Sequence, residues 1–345
     1  MICRYLRDYF KYRNDIKGPI SWPDFSKKQD EYLNPFTDTS LLVFFMTRRC
    51  NLNCSFCYLN LTKYKTEFSD LTYDATVDSV HKLMKKPLVR RMHGVSLFGG
   101  EPLVNPKVDQ IVDAFLDYKK VVYMTTNGLL LGNHLELLQK IDRISISVYQ
   151  NTLDTLAKML PTLIPRNPFV LTFALTKTTL LQNATILDRL FELASTTNCE
   201  SVNVFTVSPS AQTATGELDV SEAIFEDTPE GELYKQKASE LKEKFPENTS
   251  NFYAPQVRGV SESGKIKCTF AWWYICCDAF GNVSPCACVA PPEEKYGNIF
   301  KDNFMMANTW NSEKIRIARR WFNSDNTQDI PKICENCIHL NRRVL

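Results

Sequence analysis

Cysteine carries most of the chemical information in this chain. Twelve cysteines stand against four histidines in 345 residues. Without an export signal, thiols clustered at that density point to metal or redox chemistry rather than to a disulfide framework. Two groups stand out. Cys50, Cys54 and Cys57 form a C-x₃-C-x₂-C arrangement, and seven more (Cys268, Cys276, Cys277, Cys286, Cys288, Cys334 and Cys337) fall in the last 78 residues. Cys3 and Cys199 stand apart and read as small apolar residues. Three thiolates on one short loop can hold three irons of a cubane [4Fe–4S] cluster and leave the fourth iron open, which is what makes such a site catalytic. A structural zinc site closes with four ligands. Within thirty residues of Cys57 the one further Cys or His is His81, on an expected helix.

The elements that must position these thiols read as alternating strands and helices. Strands are expected at Leu41–Thr47, Gly94–Phe98, Val121–Thr125, Arg143–Tyr149, Phe169–Leu175 and Ser201–Ser208. Helices are expected at Tyr73–Lys85, Lys107–Lys119, His134–Ile141, Leu153–Leu163 and Ile186–Ala194. Six strands separated by helices imply parallel βαβ units and a right-handed, barrel-like sheet. Six units are fewer than the eight of a closed (β/α)₈ barrel, so the expected fold class is α/β, a partial, open (β/α)₆ barrel. Cys50 directly follows the first strand, at the carboxyl end where such barrels build their active sites.

Around this barrel (39–211) the chain divides into an N-terminal extension (1–38), a charged bridging segment (212–265) and a small Cys- and Trp-rich domain (266–345) of α+β type, with a basic helix near 313–322. Lys plus Arg is 41, Asp plus Glu is 39 and the net charge is +2, which argues against a nucleic-acid-binding role or an anionic membrane surface. At 44% hydrophobic and 23% charged the composition is that of a folded globular protein. No apolar run approaches the ~20 residues of a membrane span. The N-terminus lacks a signal-peptide core, so a cytoplasmic location is expected.

The first cysteine group resembles the signature of the radical S-adenosylmethionine (SAM) superfamily, and the following strand ends resemble that family too. Gly99-Gly100-Glu101-Pro102 ends strand two and looks like its GGE motif, Thr125-Thr126-Asn127-Gly128 ends strand three, and Ile144-Ser145-Ile146-Ser147 lies on strand four. The resemblance covers about residues 40–210. It implies a SAM-binding [4Fe–4S] cluster on Cys50, Cys54 and Cys57, SAM contacts from Gly99, Gly100, Glu101, Thr126 and Ser147, and an electron donor of flavodoxin or ferredoxin type. It also implies reductive cleavage of SAM to a 5′-deoxyadenosyl radical that takes a hydrogen atom from the substrate. A Ser on a strand can equally bond locally.

In the tail, a glycine-centred hairpin would bring Cys268 and Cys286 together, and the C-x-x-C of Cys334 and Cys337 would complete four thiolates. The region resembles the twitch or SPASM auxiliary-cluster domains of radical SAM enzymes, in the one-cluster form. The spacing also suits a Cys₄ zinc ribbon. In similar epimerases a Cys that is not a ligand donates a hydrogen atom to the substrate radical, which makes Cys276 or Cys277 a candidate donor. The twitch resemblance implies substrates of the aminocyclitol, aminoglycoside or sugar-nucleotide type. The chain lacks the terminal Gly-Gly of the GTP cyclase of molybdenum-cofactor synthesis, which disfavours that assignment. The alternatives are a maturase for a ribosomally made peptide, for which 38 N-terminal residues are short of a leader-binding domain, and a non-catalytic zinc or iron–sulfur protein.

Overall fold

The computed structural model describes residues 41–54, 56–57, 73–163, 165–207, 221–255, 274–284 and 297–301. The N-terminal extension, the expected helix at 313–322, and Cys268, Cys286, Cys288, Cys334 and Cys337 lie outside the described residues.

All six expected strands are present: β1 (Leu41–Thr47), β2 (Gly94–Gly99), β3 (Val121–Thr126), β4 (Arg143–Val148), β5 (Phe169–Leu175) and β6 (Cys199–Thr206). They pair in parallel in the order β6-β5-β4-β3-β2-β1. The sheet extends on both sides: β7 (Ser250–Phe252) adds in parallel to β6, and β8 (Tyr274–Asp278) in parallel to β1, with β9 (Val283–Ser284) closing an antiparallel hairpin on β8. The result is an open, mostly parallel α/β sheet, the form of a partial barrel.

Alternation along each strand separates two faces. Phe44, Leu97, Met124, Ile146, Phe173 and Val204 point to the main core, where helices α1 (Val77–Met84), α2 (Val108–Asp117) and α3 (Thr185–Ser195) bury Leu83, Phe115 and Leu190. On the opposite face Val43, Phe45, Phe98 and Cys276 form a small separate cluster. β1 is buried throughout, as expected of an apolar strand flanked by parallel neighbours. Helix α1 starts where Thr76 and Ser79 cap one another reciprocally.

The stretch read as a bridge supplies a further helix, α4 (Pro229–Lys244), and β7 to this same sheet. Tyr234 of α4 is fully buried, its hydroxyl within hydrogen-bond distance of Val204 O and Tyr253 O. Lys237 and Lys244 of α4 pair with Asp188 of α3. The expected helix at His134–Ile141 is reduced to a 3₁₀ turn at Leu131–Asn133 and one α-turn at Leu135–Leu138, because His134 leaves helical geometry at φ −130°. The helix expected at Leu153–Leu163 ends at Met159 and tightens to 3₁₀ over Leu160–Thr162, where Pro161 offers no N–H. Among the described residues no helix is long and apolar enough to cross a membrane.

Candidate active site

The three thiols follow β1 directly, and residues Thr47, Arg48 and Arg49 tie the start of their loop to Asp74, Val104, Asp278 and Tyr73. Thr47 Oγ1 donates to Asp74 at 2.6 Å and accepts from Arg49 N at 3.0 Å. The Arg49 guanidinium grips both oxygens of Asp74 and donates to Val104 O at 3.1 Å. Arg48 pairs with Asp278 at 3.2 Å and lies over the Tyr73 ring at 5.0 Å. Sequence reading missed these residues. Two consecutive arginines at the end of an apolar strand do call for buried anions, but nothing in the spacing says that residues 74 and 278 supply them.

Behind the loop lies the end of β2. Gly100 N donates to Thr47 O and Glu101 N to Arg49 O, both at 2.8 Å. A Cβ on Gly100 would stand 2.0 Å from Arg49 O, and one on Gly99, whose φ is +139°, 2.3 Å from Thr47 O. The glycines are therefore required for two backbones to approach, whatever they also do for a ligand. Gly100→Ala is expected to push the Cys50 loop off the sheet, measured as lower iron per chain after anaerobic reconstitution with the far-UV spectrum retained.

Glu101 is buried at 1% exposure. Oε1 accepts from Leu103 N at 3.0 Å and from Thr126 Oγ1 at 2.7 Å, and Oε2 accepts from Asn127 N at 2.7 Å. Burial pushes its carboxyl pKa up, and these three donors oppose the shift. Thr126 also accepts from Gly128 N at 3.0 Å, so its hydroxyl is engaged on both sides. The Asn127 amide donates to Asn51 Oδ1 at 2.7 Å, fastening the β3 turn to the thiol loop. One continuous set of bonds thus joins the ends of β1, β2 and β3.

Cys50, Cys54 and Cys57 are all half-buried. Cys50 Sγ accepts from Leu52 N at 3.4 Å, and Cys57 N closes a turn onto Cys54 O at 3.0 Å. Burial raises the Cys50 and Cys54 pKa, that of Cys54 to about 11. The Tyr149 phenol, just past β4, feels all three thiols, and its ring lies 6.0 Å from that of Phe56. Burial first, then the neighbouring thiols, keep that phenol protonated, with the Ser147 side chain opposing the shift. Tyr149 is a further neighbour that motif reading did not single out. No three His, Cys, Asp or Glu side chains among the described residues converge on one ion-sized point. A cubane asks instead for one thiolate per iron, and three half-buried thiols on one loop are that donor set.

Cys276 and Cys277 are both fully buried, on opposite faces of β8. Cys277 belongs to the helix-side core and burial pushes its pKa far up, while Cys276 packs with Val43, Phe45 and Phe98 on the other face.

Residues 44–161 match the family model described as "Radical SAM superfamily". Molybdenum cofactor biosynthesis protein 1 of Bos taurus is 34% identical over 110 residues, 31% of this chain and 17% of that protein. A probable GTP 3′,8-cyclase of Methanococcus maripaludis is 30% identical over 112 residues, 32% of this chain and 35% of that protein. The matched stretch thus spans about a third or less of the length of these relatives. Among solved structures, Streptococcus suis SuiB bound to precursor peptide SuiA superposes with a TM-score of 0.61 at 17% identity, covering 92% of this chain and 75% of that one. SuiB bound to S-adenosylmethionine gives the same TM-score at 16% identity, covering 98% and 83%. These last two are likenesses of fold. The match to the radical SAM superfamily thus covers residues 44–161, about a third of the chain, and includes the three thiols of the loop that follows β1.

Proposed function

We propose that this chain is a radical SAM enzyme that removes a hydrogen atom from a polar small molecule of the sugar-nucleotide, aminocyclitol or aminoglycoside type. The observation that carries the reading is the joining of the Cys50–Cys57 loop, the Gly99–Glu101 turn and the Thr126–Asn127 turn at three adjacent strand ends, inside the residues that match the family. When bound, the [4Fe–4S] cluster and SAM supply a 5′-deoxyadenosyl radical; the protein supplies binding, orientation and exclusion of water. Cys50, Cys54 and Cys57 hold the three irons. Glu101 offers its carboxylate to the SAM ammonium, with Gly99 and Gly100 lining the approach. Thr126 acts through Glu101, since both sides of its hydroxyl are in use, and Ser147 contacts SAM from β4. Cys268, Cys286, Cys334 and Cys337 hold a second [4Fe–4S] cluster, and a flavodoxin- or ferredoxin-type protein delivers the electron.

The substrate class is supported by the sheet face turned away from the helices. Ser147, Thr172, Asn203 and Asn251 are register partners across β4 to β7. Ser145 and Thr172 lie 3.0 Å apart, and Asn251 donates to Asn203 at 2.9 Å. A row of neutral donors and acceptors suits a ligand rich in hydroxyl or amide groups. The same row suits a peptide backbone, and the fold shared with SuiB, a protein that binds the precursor peptide SuiA, supports a second reading as a peptide maturase. Anaerobic assays of 5′-deoxyadenosine formation against aminocyclitols, aminoglycosides, sugar nucleotides and short peptides separate the two. Stimulation by the first three classes is expected; stimulation by peptides alone would overturn the small-molecule assignment.

If the reaction is an epimerisation, Cys276 is the donor candidate of β8, because Cys277 faces the helix-side core; Cys288, the third candidate thiol, lies outside the described residues. Cys276→Ala is then expected to spare iron content and 5′-deoxyadenosine while abolishing product and its solvent-derived deuterium. Cys277→Ala should cost only packing, ~1 kcal/mol in thermal unfolding. Full turnover by Cys276→Ala and by Cys288→Ala would remove the donor role.

A further inference from the structure

The carboxyl-terminal hairpin is wired into the loop that carries the first three thiols. Asp278 ends β8 and sits opposite Phe45 of β1 in the parallel register. It is 3% exposed and satisfies four donors: Phe280 N at 2.9 Å and Asn282 N at 3.0 Å on Oδ1, Asn282 Nδ2 at 3.1 Å and Arg48 Nη2 at 3.2 Å on Oδ2. Three of these donors belong to the hairpin itself. The fourth belongs to Arg48, two residues before Cys50.

The junction is packed as well as bonded. Arg48 is 9% exposed and stacks on Tyr73, whose ring meets Phe280 of the hairpin tip edge-on at 5.3 Å. Tyr73 is followed by Asp74, the anchor of Thr47 and Arg49. The turn is fixed by Gly281, whose φ of +80° and contact with Phe300 leave no room for a side chain. A planar guanidinium held between an aromatic face and a buried carboxylate has one orientation, and its backbone is correspondingly fixed.

We propose that Asp278, acting through Arg48, is a positioning residue for the loop of Cys50, Cys54 and Cys57, so that the hairpin between Cys268 and Cys286 sets how firmly the first cluster is held. This rests on the radical SAM reading of that loop. Partners that orient metal ligands from outside the ligand set typically change metal retention ten- to a hundredfold, and a pair acting as one unit gives effects that do not add.

The test uses the full, anaerobically reconstituted chain. Asp278→Asn and Arg48→Met are each expected to shorten, by about tenfold or more, the time that the SAM-responsive cluster survives a chelator. Each should also alter the change that SAM makes in the electron paramagnetic resonance spectrum of the reduced protein. The double variant should be no worse than either single one. Asn282→Ala, which removes the Nδ2 donor to Asp278 and the Oδ1 acceptor of Asn298 but leaves Arg48 on Asp278, should lower the unfolding temperature while keeping wild-type retention and spectrum. Wild-type retention and spectrum in Asp278→Asn, whatever its unfolding temperature, would overturn the proposal. Arg48→Lys replaces any variant that fails to fold and carries the same expectation. If the wild-type chain takes up no iron at the three cysteines, the enzyme reading fails. The positioning claim is then read from alkylation of Cys50, Cys54 and Cys57 in the metal-free full chain: faster in both variants supports it, unchanged overturns it.

Discussion

Replacing Cys50, Cys54 and Cys57 together with Ala is expected to remove about half the iron of the reconstituted protein and all cleavage of SAM. Three thiolates on the β1 loop and four in the tail would each hold one [4Fe–4S] cluster, about eight irons per chain in the wild type and about four in the variant. The fold should survive, since the loop is fastened to the sheet by Thr47, Arg48, Arg49 and Asn51 rather than by the thiols. Iron and sulfide analysis with chromatographic detection of 5′-deoxyadenosine measures both. About four irons in the wild type and none in the variant would remove the second cluster and leave the tail as a zinc or apolar element. SAM cleavage retained by the variant would remove the catalytic assignment.

The second large effect is expected at Glu101. Glu101→Ala should keep iron but weaken SAM binding by about ten- to a hundredfold, because loss of a charge-assisted bond to an ammonium costs ~1.5–3 kcal/mol. The geometry sharpens the experiment. The carboxylate already serves Leu103 N, Thr126 Oγ1 and Asn127 N, so its removal also leaves two buried donors at the end of β3 without an acceptor. Thermal unfolding should therefore fall together with SAM affinity. A lower unfolding temperature with an unchanged SAM dissociation constant would show that Glu101 only joins the β2 and β3 turns.

Much of this was legible in the sequence, for physical reasons. The six parallel strands are short, apolar and separated by amphipathic segments, and the order of the C-x₃-C-x₂-C, GGE and TNG stretches at their carboxyl ends follows from that alternation alone. Local signals served less well where the chain makes long-range choices. The 212–265 stretch reads as a bridge because α4 is mostly charged, yet buried Tyr234 attaches it to the sheet and two Lys–Asp188 pairs attach it to α3. Nothing in the apolar run before Cys277 says that it will pair with β1 rather than form a separate unit. The anchors Asp74, Asp278 and Asn127 share no spacing with Cys50, since contacts across a sheet carry no periodic trace in the chain. The family resemblance assigns Gly99 and Gly100 to SAM contacts; the backbone of Thr47 and Arg49 needs their missing side chains as well.

The most direct measurement is of 5′-deoxyadenosine and methionine released from SAM by the anaerobically reconstituted chain with a low-potential reductant. Formation that needs Cys50, Cys54 and Cys57, and that rises with a polar substrate, is the expected result. A protein that holds its full complement of iron, binds SAM and yet releases no 5′-deoxyadenosine under any of these conditions would contradict it.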